Sequence, residues 1–72
     1  MIPMLINKTV GSNLRRMREL NKMTQLELGK ELGVTAQSIA RSEKGVDRVA
    51  ADKLKQLADI FHVSVGSFYL ED

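Results

Sequence analysis

The chain has 72 residues, eleven basic and nine acidic side chains, a formal charge of +2 and no cysteine. That length leaves room for one domain with a modest core, because chains of this size bury only roughly 60% of their unfolded surface. The lack of thiols excludes a disulfide framework and a thiolate metal site, which makes the cytoplasm the expected compartment, and the opening MIPMLI is too short to span a membrane.

In chain order, residues 1–10 read as an N-terminal tail or a short strand, since MLINKTV alternates in the manner of a strand. Ser12 is placed to cap a first helix reaching about Lys22, with Leu14, Met17 and Leu20 or Asn21 on its apolar stripe. Thr24 stands three residues before Glu27, the capping-box spacing that opens a second helix. Leu28 and Leu32 fall one turn apart on that helix, and Gly33 supplies the left-handed backbone that ends it. Val34 plugs the corner. Thr35 caps a third helix, whose apolar anchor is Ile39 while Ala36, Gln37, Ala40 and Arg41 point elsewhere. Gly45 closes this helix, and GVDR leads into a fourth from about Ala50 to Phe61 with Leu54, Leu57, Ala58 and Phe61 inward. A last turn, Val65 to Leu70, finishes the chain.

Two helices joined by a short corner containing Gly form the signature of a DNA-binding helix-turn-helix, whose second helix enters the major groove. On Gln25, Leu28, Gly33, Val34, Ile39, Glu43 and Gly45, the segment QLELGKELGVTAQSIARSEKG resembles the helix-turn-helix family of the lambdoid phage repressors and Cro proteins, the xenobiotic-response-element-like group. The likeness runs from Gly11 to about Leu70. It implies an all-α, compact five-helix domain over residues 11–72, with a recognition helix at about residues 35–44.

Charge distribution agrees with such a role. Lys8 to Arg48 carries nine basic and five acidic residues, whereas Val49 onward carries two basic and four acidic ones, so positive potential gathers on the half containing the motif. Thr35, Ala36, Gln37, Ser38 and Arg41 are the candidates for base readout, because they occupy the first turn and outer face of the third helix. Gln37 and Arg41 lead them: Gln can make two hydrogen bonds to adenine and Arg two to guanine, and a spacing of four puts both on one face. Gln25, at the start of the second helix, and Lys44 and Arg48, flanking the loop after the third, are the candidates for phosphate contact. The resemblance also implies a largely buried ion pair between Arg18 and Glu43 that orients the reading helix.

The sequence departs from the family pattern at three positions. Gly29 stands where the family usually has Ala, which is expected to weaken the second helix by about 1 kcal/mol. Ser42 replaces a large apolar residue, so either Met17, Met23 or Phe61 fills the space beside Ile39 or the domain packs loosely. His62 replaces a frequent Gly at the end of the fourth helix and reads as a helix-end residue favoured by the dipole.

No nucleophile with its base, metal-ligand cluster or phosphate-cradling Gly loop is present, so the expectation is a protein that is not an enzyme and uses no cofactor, metal or small-molecule ligand. The leading expectation is a cytoplasmic, sequence-specific regulator of transcription. It would bind double-stranded DNA at a palindromic operator, act as a repressor and form a homodimer, with Phe68, Tyr69 and Leu70 as interface candidates. With nothing after Asp72 to sense a ligand, regulation is expected through concentration, proteolysis or a partner protein. The alternative is an antitoxin or adaptor using the same domain chiefly to grip another protein.

Overall fold

The computed structural model describes residues 3–71, with side chains from Ile6 onward. Four α-helices follow one another, α1 Pro3–Leu20, α2 Gln25–Leu32, α3 Ala36–Glu43 and α4 Ala51–Phe61, and a 3-10 turn spans Val65–Tyr69. The fold is therefore all-helical as expected, but its fifth element is a 3-10 turn where a fifth helix was expected. No strand occurs among the described residues.

The largest departure from expectation lies at residues 3–10, which belong to α1, opened by Pro3, a residue suited to the first helical position, where a tail or short strand was expected. Residues 1 and 2 of that segment lie outside the described residues. Ile6, Val10 and Leu14 are spaced by four and share one face of that helix; Val10 and Leu14 are buried, and Ile6 packs against the same cluster. Ser12 consequently lies exposed in the middle of the helix and caps nothing, while Leu20 turns to solvent. Core contact through the i, i+4 face overrides the local alternation of MLINKTV.

Helix starts follow the sequence closely. The Thr24 hydroxyl accepts from the Glu27 backbone N–H at 3.0 Å, and the Thr24 N–H donates to the Glu27 carboxylate at 2.8 Å. This bond holds the Glu27 carboxyl below its usual pKa. Thr35 caps α3 through a 3.0 Å bond from the Ser38 N–H. At the other end of α2, Gly33 takes the left-handed conformation at φ 79°, and Lys53 reaches from α4 to donate to the Leu32 carbonyl at 3.3 Å.

One core joins all the elements: Val10 and Leu14 of α1, Leu28 and Leu32 of α2, Ile39 of α3, Leu54, Leu57, Ala58 and Phe61 of α4, and Phe68 of the last turn. Asn13, buried beside it, donates to the carbonyls of Phe68 and Leu70 at 2.8 Å each, which ties the last turn to α1. A groove of about 470 Å³ opens on the surface beside this core, with Ser42 among its lining together with Leu14, Leu32, Ile39 and Leu57.

Gly29 sits where two stretches of backbone approach closely. A Cβ there would lie 2.7 Å from the Val34 carbonyl oxygen and 3.2 Å from the Thr35 carbonyl carbon, so the corner between α2 and α3 folds onto bare backbone. The lost helix propensity is the condition for that closeness. His62 ends α4 in the left-handed region at φ 58°, a conformation that a side chain makes less favourable than Gly would.

Candidate nucleic-acid interface

Helix α3 is positioned by three contacts before any of its outer residues matters. Ile39 is buried in the core, and Glu43 is buried at the opposite end of the same face. Behind that end, α1 approaches without a side chain between: a Cβ on Gly11 would collide with the carbonyl of Ser42 and lie 2.6 Å from that of Glu43. Gly45 continues the contact, since its added Cβ would lie 2.8 Å from the Cα of Lys8. The last turn of α3 thus rests directly on the backbone of α1.

The expected pair forms within this seam. Arg18 Nε donates to Glu43 Oε2 at 2.6 Å, Nη2 donates to Oε1 at 3.2 Å, and Nη1 reaches the Met23 carbonyl at 2.7 Å. Its side chains are 11% and 4% exposed, which makes it a buried pair with its donors satisfied. The hydrogen bonds that Arg18 donates to Glu43 raise the Arg18 pKa against the opposing effect of burial. Gln25 joins the same group, its Nε2 donating to Glu43 Oε1 at 3.1 Å. Part of the donor capacity of Gln25, a candidate for phosphate contact, thus links α2 to α3. The two amide hydrogens on Nε2 leave one for an outside acceptor.

On the outer side, Gln37, Arg41 and Lys44 are exposed. Ala36 is half-buried. Ser38 is half-buried too and lines the groove beside Leu32 and Val34, and its N–H serves the Thr35 cap. Thr35 is exposed, but its hydroxyl is engaged in that cap. Of the five residues named for base readout, Gln37 and Arg41 therefore offer the longest polar side chains to solvent from one face. Arg48, exposed, follows the turn that leads to α4.

Arg41 has a partner that sequence reasoning missed. Its Nε and Nη2 donate to the two carboxylate oxygens of Asp47 at 2.7 and 3.0 Å. The bond lowers the Asp47 pKa and raises that of Arg41. Six residues separate the two, a spacing that no helical periodicity brings together. The pairing arises because Gly45, at φ 76°, turns the chain back so that the N–H of Val46 reaches the Arg41 carbonyl at 3.1 Å.

Of the interface candidates, Phe68 has no exposed surface and is removed from any contact between folded chains. Tyr69 and Leu70 stay exposed. No helix among the described residues is long and apolar enough to cross a membrane, and no group of three or more His, Cys, Asp or Glu that could hold a metal occurs among them.

A helix-turn-helix family model matches residues 14–68. An uncharacterized HTH-type transcriptional regulator of Sinorhizobium medicae is 43% identical over 70 residues, 97% of this chain and 50% of that protein. A second such regulator, from Sinorhizobium fredii, is 39% identical over 97% of this chain and 48% of its own length. A protein named Antitoxin PezA, from Streptococcus pneumoniae, is 29% identical over 88% of this chain and 40% of its own. The chain spans about half the length of the regulators it matches.

Proposed function

The chain belongs to the helix-turn-helix family of Cro and C1-type regulators, and from that premise we propose that it binds double-stranded DNA sequence-specifically in the major groove as a transcriptional repressor, without catalysis of its own. The observation that carries the proposal is the division of α3 into two faces. Ile39 and Glu43 lock one against the core, while Gln37, Arg41 and Lys44 stand out from the other. In this reading Gln37 contacts adenine and Arg41 guanine through paired hydrogen bonds. Lys44, Arg48 and the remaining amide hydrogen of Gln25 meet phosphates on either side, and the protein works in the cytoplasm as a homodimer on a palindromic operator. Tyr69 and Leu70 are the exposed apolar residues offered for its interface.

Selection of duplexes from a random pool tests the reading. Gln37→Ala is expected to weaken binding to the selected sequence by roughly 1–3 kcal/mol while leaving random duplexes nearly unaffected, and to relax the preference at one position of each half-site. Affinity should fall with salt at a log-log slope of about −0.9 per phosphate neutralised, and Arg48→Ala should make that slope shallower. Binding that ignores both salt and sequence would overturn the assignment. A second reading, as an antitoxin or adaptor, draws on the resemblance to the protein named as an antitoxin. A tight heterologous protein co-purifying with the chain, together with unaltered DNA binding in the Gln37 variant, would favour it.

A further inference from the structure

The guanidinium of Arg41 has two edges that carry paired donors. The Asp47 carboxylate occupies the side edge, Nε with Nη2, at 2.7 and 3.0 Å. The end edge, Nη1 with the second hydrogen of Nη2, keeps two parallel N–H donors. That is the arrangement which meets the O6 and N7 acceptors of guanine, and the fork on Asp47 leaves it intact.

Asp47 is itself anchored to the helix it serves. The carbonyl of Arg41 accepts from the N–H of Val46 at 3.1 Å and from that of Asp47 at 3.5 Å, so the turn folds back over the residue whose side chain it grips. Both side chains are close to half exposed, 49% and 45%, and an ion pair in that setting contributes little to folding. Its effect falls on the conformation of Arg41. A long side chain otherwise free to sweep across the groove and bind any phosphate is held to one direction before DNA arrives, and an ordering cost otherwise met on binding is already met. The carboxylate also repels phosphate, which works against non-specific grip and so raises the difference between right and wrong sequences.

We propose that Asp47 is a positioning residue for sequence readout, holding Arg41 so that its end edge addresses guanine and limiting its use as a phosphate clamp. The inference rests on the reading of α3 as the DNA-contacting helix.

The test compares Asp47→Ala, Asp47→Asn and Arg41→Ala in the full chain, each by duplex selection from a random pool and by salt titration on selected and random duplexes. Asp47→Ala should keep the wild-type thermal midpoint, tighten binding to random duplexes, steepen the salt slope by about 0.9 if Arg41 gains one phosphate, and reduce the preference for guanine at one half-site position by roughly five- to tenfold. Asp47→Asn, which keeps an acceptor oxygen but loses the charge, should fall between Asp47→Ala and wild type. If Arg41→Ala erases the guanine preference while both Asp47 variants keep it in full, the pair is an ordinary surface contact and the proposal is overturned. If Arg41→Ala itself leaves the selected sequence unchanged, the failure lies in the assignment of Arg41 to base readout, and the role of Asp47 falls with it.

Discussion

Helix α3 carries an ion pair on each of two faces, and the two are nearly alike in bonding while opposite in surroundings. Arg18 and Glu43 meet at 2.6 and 3.2 Å in the seam against α1 and α2, and Arg41 and Asp47 meet at 2.7 and 3.0 Å at the surface. Solvent separates their roles. Water screens the outer pair and offers each partner an alternative, so its formation commits little free energy and another acceptor can rewire it. The inner pair has no alternative, because removing either member strands a charge in a site of low polarisability. One helix is thereby fixed on its scaffold by a contact of the same chemistry that it presents on its outer face.

The comparison breaks most visibly at Arg18. Arg18→Met should destabilise the fold by roughly 3–5 kcal/mol in chemical denaturation, because Glu43 stays buried without its counter-charge. Adding Glu43→Leu should recover much of that loss, although the amide of Gln25 then loses its acceptor. A single variant as stable as wild type would place the two pairs in one class. Gly29→Ala examines the scaffold without touching charge. Helix propensity alone favours Ala by about 1 kcal/mol, yet the Val34 carbonyl 2.7 Å from the added carbon makes a net destabilisation of about 1–3 kcal/mol the expected result. A gain in stability would mean that the corner yields easily. The smallest effect should come from Asp47→Ala, with a denaturation midpoint indistinguishable from wild type, and a loss approaching that of Arg18→Met would erase the contrast between the faces.

Much of this architecture can be read from the sequence where one short-range rule dominates. Thr24 with Glu27, Thr35, Gly33 and the inward set on α4 all behave as local signals, and the structure places each in its expected position. The start of α1 was hidden because MLINKTV satisfies strand alternation as well as the Ile6–Val10–Leu14 helical face, and only burial decides between them. The partners of Gly11 and Gly29 were illegible for a related reason: close backbone approach leaves no periodic trace, and which chain segment passes by depends on the tertiary fold. At the site, the position of Arg18 opposite Glu43 followed from family resemblance, whereas Gln25 joining that pair and Asp47 holding Arg41 depend on tertiary placement and on the turn at Gly45.

The bare contact between α1 and the end of α3 also sets a timescale. The amides of Lys44, Gly45 and Val46 donate to Ala40, Ser42 and Arg41, in a segment pressed against Lys8 and Gly11. Helix ends ordinarily fray on their own and exchange their amide hydrogens quickly. Here α1 backs the last turn of α3 directly, so its amide hydrogens are expected to exchange more slowly than those of a free helix end, as hydrogen exchange would measure.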